Sequence, residues 1–527
     1  MEDALVIGAG HNGLVAANVL ADAGWSVEVL EATSTPGGAV RSGEFVEPGY
    51  TSDFCSAFYP MTALSPAIGA LDLEAYGLRW CHAPLVLAHP ALDGTCPIIS
   101  RDPDETAASL SSFSASDADA WDRLYQRWID LGPGIVPAML GPFPPVKALG
   151  SLIKRVHLRD APELMRFALL PVRRMGEEEF TSEQARRLIA GSALHADFTP
   201  ESTLSGFFGW LMCAAGQQVG FPMPAGGAQS IITALVDRLR SKGGRLRCNA
   251  PVNEVVVRHG RAVGVRLSDG QEVGASRAVL ADVNAPVLYQ SLVAAEHLPE
   301  RVLDAIQRFD WDYSTFKVDW TLNGSIPWSS PQARQAGTIH VSEDVDHLSL
   351  CTTGLDRGVI AAEPFLLVGQ HGLADPSRQP PGHDTAWAYT HVPRQVRGDA
   401  GGALTGSWDT REGEVFADRI EAQIERLAPG FGALIRRRHI TAPPTFEREN
   451  PNLVGAAIQG GTEQLHQQLI FRPIPGTGRP GTPVPGLFLA SSSAHPGGAV
   501  HGACGANAAR AALAAYRVRF VTGWRRR

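Results

Sequence analysis

A glycine loop near the N-terminus has the residue types and spacing that bind a dinucleotide. The loop GAGHNG (residues 8–13) follows an apolar run at 4–7 and precedes a predicted helix. Gly8 permits a tight turn, Gly10 lets the backbone approach a pyrophosphate, and Gly13 lets helix and strand pack closely. Because the first N–H groups of a helix are unpaired and carry partial positive charge, they favour phosphate.

An acid follows the loop at the distance that ribose binding requires. Glu31 ends a second predicted strand, residues 26–30, and lies eighteen residues past Gly13. There it accepts a hydrogen bond from a ribose hydroxyl and would repel a 2′-phosphate. Asn12 is a further predicted contact. The loop alone is compatible with a turn that binds nothing, but the whole pattern indicates a dinucleotide site.

A second glycine pair indicates which dinucleotide is bound. The motif PGGAVR (residues 36–41) places Gly37, Gly38 and Ala39 just before a basic residue, Arg41. Alone it is an ordinary turn with a solvated arginine. After the first loop it suits a pyrophosphate and ribityl chain that continue past the helix, which predicts FAD rather than NAD.

Composition restricts the class of protein. The chain has 527 residues, 44% of them hydrophobic, and this length favours two domains in a globular protein. A net charge of −8 argues against nucleic-acid binding. The seven cysteines form no CxxC pair, so neither a redox pair nor a metal site is predicted. With no signal peptide or membrane-spanning run recognised, we expect a cytoplasmic protein.

The order of predicted elements divides the chain into interleaved segments of an α/β protein. A helix, strand and meander after residue 222 return the chain to the nucleotide domain, where Val252 is expected to contact the adenine side through its backbone. The predicted FAD-binding domain comprises 1–80, 222–285 and 442–527. The predicted substrate domain comprises 81–221 and 286–441, with a helical subdomain at about 116–212.

The predicted substrate domain begins with strands and loops and continues with helices. Asp102-Pro103 is predicted as a turn, and Gly132-Pro133 as a helix break. The stretch 146–175 is a basic amphipathic segment, typical of a membrane surface or channel mouth, although a solvated helical face explains it equally. Its basic residues are Lys147, Lys154, Arg155, Arg159, Arg166, Arg173 and Arg174.

A second glycine-rich loop lies near the C-terminus. The segment AHPGGAVHGACGAN (residues 494–507) precedes a helix of small residues. Such a helix can direct its positive end at the flavin ring and stabilise the anionic reduced form. The alternative is an Ala-rich helix that packs tightly and binds nothing. The predicted cofactor contacts here are Ser492, Gly498, Val500, Gly502 and Asn507.

Taken together, these motifs resemble those of the phytoene-desaturase-like FAD oxidoreductases. The segments DPSR (375–378), WAYTHVP (387–393) and DRIEAQIERLAPGF (418–431) are most similar to the branch of pyridine nucleotide-disulfide oxidoreductase domain-containing protein 2. The resemblance covers most of the chain and is weakest between about 80 and 220. It implies a Rossmann-like FAD-binding domain of the amine-oxidase/phytoene-desaturase type, a flavoprotein with two dinucleotide-binding domains, and an inserted α+β substrate domain.

The C-terminal loop departs from the family pattern. The family usually has glycine near 491, threonine at 494 and glycine at 499, where this chain has Ser491, Ala494 and Ala499. The resemblance leaves FAD binding expected and implies an altered ring environment.

The resemblance also implies which side chains surround the flavin ring. Segments 206–212 and 365–368 are expected to form walls of an apolar tunnel. Structural roles are the alternative for each of these residues, and for His501 the alternative is that it braces the glycine loop. The catalytic candidates are Tyr389, His391 and His501, and the substrate candidates are Phe58, Tyr59, His195 and Trp210.

The expected reaction is oxidation of a C–C or C–N single bond in a lipophilic small molecule, with hydride transfer to flavin N5. The sequence shows no second GxGxxG loop between a predicted strand and a predicted helix that could bind NADPH, so O₂ or a quinone is the expected electron acceptor. A flavin-dependent isomerase, an amine-type oxidase and a non-catalytic FAD-bound interaction protein remain alternatives. A peripheral membrane contact is compatible with the basic segment.

Overall fold

The computed structural model describes residues 1–155 and 158–524, and its first sheet is built around the N-terminal strand. Two parallel strands flank that strand, each of them pairs with one further parallel strand, and an antiparallel meander extends one edge. From edge to edge the strands are Val252–Arg258, Arg261–Leu267, Glu272–Ala281, Glu2–Ile7, Val27–Leu30 and Arg245–Arg247, with Leu487–Leu489 also paired to Glu272–Ala281. Three helices accompany it: His11–Asp22, Gln229–Ser241 and Ala503–Trp524.

The burial of the central strand explains its sequence. Residues 4–7 are each at most 5% exposed. A parallel strand covered on both faces reads as a continuous apolar run, because neither face meets water. The predicted α/β fold with a Rossmann-like strand, glycine loop and helix is therefore confirmed.

A second, mostly antiparallel sheet lies in the predicted substrate domain. In strand Ser314–Leu322, the two faces carry different kinds of side chain. Phe316 and Val318 pack in the core beneath helix Thr410–Leu427, and Lys317, on the opposite face, lines a cavity. This alternation is the period of two that a strand imposes. The strand order is Ile435–Thr441, Ser314–Leu322, Asp384–Val392, Leu366–Gly369, Ala336–Val341, Leu85–Ala88 and Ile98–Ile99.

The strands of the two large sheets segregate along the sequence. All strands of the first sheet fall within 1–80, 222–285 and 442–527, and all strands of the second fall within 81–221 and 286–441. The exact domain boundaries stay a prediction.

The helical subdomain packs against the second sheet. Its helices are Pro103–Ser111, Ala115–Leu140, Val146–Arg155, Ala161–Leu169, Val172–Glu179, Glu183–Ala193 and Ser205–Val219. The other elements are Ser42–Gly43, Ser52–Asp53, Pro60–Leu64, Pro66–Gly69, Trp80–Cys81, Met223–Pro224, Glu300–Ile306, Val345–Arg357, Val359–Ile360, His371–Ala374, Gly398–Asp399, Phe431–Leu434, Pro443–Glu449 and short single turns.

Two expectations for this subdomain are wrong. Asp102-Pro103 begins a helix instead of a turn, because the Asp102 carboxylate accepts from the Asp104 N–H at 3.0 Å and proline occupies the first turn. Helix Ala115–Leu140 continues through Pro133. Close packing on helix Val146–Arg155 supports it there, since a Cβ at Gly134 would lie 2.7 Å from the Leu152 side chain.

The basic segment is largely engaged by acids. Arg166 pairs with Glu178 at 2.5 Å, and Arg173 pairs with Asp346 at 2.7 Å. The side chain of Lys154 lies outside the described part of the structure. In the described part of the chain, no helix is long and apolar enough to cross a membrane. Peripheral membrane contact stays a prediction.

Candidate functional site

The first glycine loop is shaped so that only glycine fits it. Gly8 has φ +90°, and a Cβ at Gly13 would lie 2.3 Å from the Gly8 carbonyl oxygen. A Cβ at Gly10 would lie 2.6 Å from a carboxylate oxygen of Asp282. The Gly13 N–H donates to that same oxygen at 2.8 Å. Gly10 has no side chain to cap the helix and Asp282 takes only the Gly13 N–H, so within the described residues the N–H groups of His11 and Asn12 are left for a ligand.

Buried polar atoms without partners lie around the helix start. Within the described residues, neither Oδ1 of Asn12 nor Nε2 of His11 has a hydrogen-bond partner. Burying such atoms unpaired is costly, which indicates that a polar ligand completes them. Arg41 also leaves its buried Nε unpaired, while its guanidinium lies 3.5 Å from Glu449 and 4.2 Å above the ring of Phe54.

Glu31 and the second glycine pair are joined to the first loop. One carboxylate oxygen of Glu31 accepts from the Ala9 N–H at 2.8 Å, and the Gly37 N–H donates to the Ala9 carbonyl at 2.9 Å. Gly37 and Gly38 have φ of +131° and +59°, in the region that favours glycine. These residues can therefore follow an elongated dinucleotide from its ribose past the helix start.

The predicted adenine-side contact lies near the Glu31 strand. The Ala250 N–H donates to the Glu31 carbonyl at 2.8 Å, and Val252 begins the next strand two residues later. Its backbone contact with adenine stays a prediction.

The C-terminal glycine loop lies against the first helix. A Cβ at Gly505 would lie 1.8 Å from the Asn12 carbonyl oxygen, and one at Gly502 would lie 2.7 Å from the Val15 side chain. The Val500 carbonyl accepts a hydrogen bond from the Thr62 hydroxyl. The two ends of the chain thus meet at one site, as the motifs predict.

Three predicted site residues have other partners. Nδ1 of His501 accepts from the Ala503 N–H at 3.0 Å, so this side chain caps the last helix. The Asn507 amide donates to the Leu140 carbonyl at 3.2 Å, away from the glycine loop. The Trp210 indole donates to the Leu124 carbonyl at 2.9 Å inside the helical core, because the apolar helix Ser205–Val219 is buried there.

A cavity of about 240 Å³ lies between the C-terminal glycine loop and the second sheet. Several of the predicted residues meet there, from both predicted domains. They are Phe58, Tyr59, His195 and Tyr389, with Ala39, Ser492, Gly498 and Val500 from the predicted cofactor site. His391 lies beyond this group, 5.8 Å from the Tyr389 ring and beside a smaller pocket, and burial lowers its pKa to about 4.

Sequence reasoning missed a buried cation in this cavity. Nζ of Lys317 donates to both carboxylate oxygens of Asp319 at 2.5 Å and to the Asp53 carbonyl at 2.8 Å. The lysine and its carboxylate partner are each 2% exposed at the side chain. The available signal was two opposite charges two residues apart in an otherwise uncharged strand, which places both on one face.

Sequence reasoning also missed the acid that holds the C-terminal loop. The Glu463 carboxylate lines the cavity, accepts from the Gly498 N–H at 2.7 Å and lies 3.2 Å from the Arg472 guanidinium. Arg472 is fully buried and also donates to the Ser492 carbonyl at 2.7 Å. This pair therefore fixes the loop that faces the cavity.

The residues present fit FAD. The N–H groups at the helix start suit the pyrophosphate region, Glu31 is placed for a ribose, and the cavity beyond the second glycine pair can receive a flat ring. An NAD site would not require the distant C-terminal loop to meet this one.

Comparisons with known proteins agree with that geometry. The family model described as flavin containing amine oxidoreductase matches residues 13–513. Pyridine nucleotide-disulfide oxidoreductase domain-containing protein 2 of Mus musculus is 29% identical, over 96% of this chain and 92% of that protein. The neurosporene-forming phytoene desaturase of Cereibacter sphaeroides is 24% identical, over 97% and 94%. The crystal structure of an oxidoreductase from Methanosarcina mazei shares the fold, with TM-score 0.61, 13% identity and coverage of 97% and 99%.

Proposed function

Because the chain belongs to the flavin-containing amine oxidoreductases and is an FAD-dependent oxidoreductase, we propose that it oxidises a single bond of a lipophilic small molecule. The bond is a C–C bond, or a C–N bond, and the enzyme is a dehydrogenase or desaturase. FAD, when bound, would supply the oxidising chemistry as the hydride acceptor at flavin N5; the second hydrogen would leave the substrate as a proton to solvent, and O₂ or a quinone would take up the two electrons afterwards.

The apolar cavity above the C-terminal loop carries this proposal. Its walls include Phe58, Met61, Phe208, Met212 and Leu367, from both the N-terminal segment and the substrate domain. A lipophile that enters gains about 25 cal/mol for each Å² of apolar surface removed from water. The same walls exclude water from the reacting bond and hold it over the loop that the family uses for the flavin.

The protein contributes orientation and a fixed electrostatic environment. Lys317 is held by Asp319 and by the Asp53 carbonyl, so its positive charge has a fixed position at the cavity wall. Arg472 and Glu463 hold the loop containing Gly498. Preorganised groups of this kind stabilise developing charge without reorganising during the reaction.

An anaerobic experiment tests the proposal. The purified holoprotein is mixed with isoprenoids and other lipophiles, each paired with a primary amine of the same carbon skeleton. We expect flavin bleaching with a lipophile and a product lighter by two hydrogens. Bleaching by amines alone would instead identify an amine oxidase, and an altered product of unchanged mass would identify an isomerase.

The electron acceptor is tested on the reduced protein. We propose O₂ or a quinone, because in the described residues the other GxGxxG string, GTGRPG (residues 476–481), opens no helix and so does not form a second dinucleotide loop for NADPH. The reduced protein is mixed separately with O₂, with a quinone and with NADP⁺, and the rate of flavin reoxidation is measured for each. Faster reoxidation by NADP⁺ than by O₂ or the quinone would contradict the proposal.

We also propose a cytoplasmic protein that contacts membranes peripherally. Exposed Val146 and Met165 lie in the segment that carries Lys147 and Arg155, a composition that suits an anionic lipid surface. Salt-sensitive co-flotation with anionic vesicles, absent with neutral ones, is the expected result. Equal flotation with both would contradict a charge-assisted contact.

A further inference from the structure

The cavity proposed above for the substrate offers no free charge. Among the described residues that line it, the charged side chains are Lys317 and Glu463. Lys317 is paired with Asp319 at 2.5 Å, and Glu463 is paired with Arg472 at 3.2 Å. Each charge is therefore already neutralised by a buried partner of opposite sign.

A charged ligand would consequently enter without a counter-ion. Burying an unpaired carboxylate or ammonium group costs several kcal/mol. A ligand amine could gain the Glu463 carboxylate only by competing with Arg472, which is fully buried. The cavity therefore favours a neutral molecule.

Several neutral polar side chains also line the cavity, among them Thr315, Tyr389 and His195, and His195 belongs to a buried imidazole pair. His195 lies at its wall, and its Nε2 is 2.7 Å from Nε2 of His340, which is 0% exposed. The rings of Phe221 and Phe365 pack against this imidazole pair. Within the described residues, neither Nδ1 of His195 nor Nδ1 of His340 has a hydrogen-bond partner. Nδ1 of His340 is buried in the protein. The pair thus leaves Nδ1 of His195 for a ligand.

The shared hydrogen bond lets the pair either donate or accept. When His340 donates its Nε2–H, His195 carries its proton on Nδ1 and can donate to a carbonyl oxygen. When His195 donates its Nε2–H, its Nδ1 is bare and can accept from a hydroxyl. In both arrangements the imidazoles stay neutral.

We propose that the substrate is a lipophile bearing one neutral oxygen group, a hydroxyl or a carbonyl, that hydrogen-bonds to Nδ1 of His195. His340 is a positioning residue, because it acts only by orienting the other ring. The inference rests on the proposed function for the location of the substrate, and it adds the chemical class.

The protonation of the pair agrees with this assignment. Burial lowers the pKa of His195 to about 3 and that of His340 well below its usual value, and the neighbouring His195 lowers the pKa of His340 further. His391, close to His195, and His89, close to His340, add to the effect. At neutral pH the pair therefore carries no charge that would recruit a carboxylate.

Equilibrium binding to the oxidised holoprotein tests the inference without requiring turnover. The probes are decanol, decanone, decane, decylamine and decanoate, detected by perturbation of the flavin absorption spectrum. We expect decanol and decanone to bind about fivefold or more tightly than decane, the effect of one neutral hydrogen bond. Decylamine and decanoate are expected to bind more weakly than decanol.

Three variants assign the preference to the histidine pair. His195→Phe should bind decanol and decane equally, and His340→Phe should lose part of the preference by freeing the His195 ring. The control His383→Phe replaces a histidine outside the cavity that packs on Tyr50, and it should retain the full preference.

The inference is overturned if decanol and decanone have no advantage over decane in the native protein, including the case in which no probe binds. It is also overturned if decylamine or decanoate binds as tightly as decanol, or if His195→Phe keeps the preference. The proposed function is tested separately by flavin bleaching and product mass. The binding measurements use oxidised flavin only, so the two proposals can fail independently.

Discussion

Ala499 occupies a backbone conformation that favours glycine. Its φ is +75°, and its methyl group lies at the cavity wall in the C-terminal loop. A left-handed conformation costs a non-glycine residue about 1 kcal/mol. The family pattern of glycine at this position therefore has a physical basis, from which this chain departs.

Replacing Ala499 with glycine should stabilise the holoprotein by about 1 kcal/mol, because the strain is removed. Denaturant unfolding measures the change. Ala514→Gly, in the exposed part of helix Ala503–Trp524, is the control and should destabilise by about 0.5–1 kcal/mol. Destabilisation by both substitutions would contradict the assignment of strain to position 499.

Asp282 is a second residue whose chemistry is set by its place in the loop. Burial raises its pKa to about 7, and the nearby Glu31 carboxylate adds to the rise, although the Gly13 N–H opposes it. Since the unfolded group titrates near 4, the folded protein holds this proton more tightly. The resulting stability is complete below about pH 4 and is lost as pH rises towards and through 7.

Asp282→Asn should remove that part of the pH dependence, because the amide oxygen still accepts from Gly13 but cannot ionise. The free energy of unfolding of the variant should fall less than that of the native protein between pH 4 and 8. Urea unfolding across this range measures the difference. Asp197, whose pKa burial also raises to about 7, remains in both proteins, so it does not produce the difference. Identical pH profiles would contradict the assignment.

At the scale of elements, the closest approach is between the first and last helices. Gly505→Ala would place a Cβ 1.8 Å from the Asn12 carbonyl oxygen, so one helix must move. We expect a loss of about 1–3 kcal/mol in stability and a lower content of bound FAD, because the displaced helix carries the pyrophosphate loop. Denaturant unfolding and flavin content measure both.

Gly69→Ala is the matched control, because its Cβ would meet nothing within 4 Å. That variant should keep its flavin. A Gly505→Ala protein with normal flavin content and stability would show that the two helices do not need this contact.

An element could be predicted when the residues that determine it lie close together in the sequence. The run at 4–7, the glycine loop and Glu31 are close in sequence, and their spacing alone predicts the Rossmann-like unit. Helix Ala115–Leu140 was not predictable as continuous, since packing on another helix outweighs the proline penalty. Lys317 was missed because only the pairing of distant strands brings it to the cavity, and His340 because only the folded chain brings it beside His195.

At the scale of the whole molecule, a buried ion pair joins the two predicted domains. Arg378 donates to the Asp53 carboxylate at 2.7 Å, and both side chains are 0% exposed. The same carboxylate accepts from the Ala228 N–H at 2.8 Å, and the Asp53 carbonyl accepts from Lys317. This junction therefore connects the glycine loops to the cavity wall.

Arg378→Met should destabilise the protein by about 3–5 kcal/mol, because it leaves a buried carboxylate unpaired. The Asp53→Asn/Arg378→Met double variant should recover part of that loss. Denaturant unfolding of the single and double variants measures the coupling. Arg166→Met, at the exposed pair with Glu178, is the control and should cost no more than about 1 kcal/mol. A similar small loss from Arg378→Met would contradict the role of the buried pair.

One anaerobic turnover, carried out with the native protein and with a variant whose cavity is blocked, tests directly whether the flavin oxidises a lipophile. With a lipophile that bleaches the native flavin, we expect one product molecule, lighter by two hydrogens, for each flavin reduced. Met212→Trp, which fills the cavity wall, should retain FAD and lose the bleaching. Equal bleaching by this variant, or a product of unchanged mass in the native protein, would contradict the claim that the flavin oxidises a lipophile in this cavity.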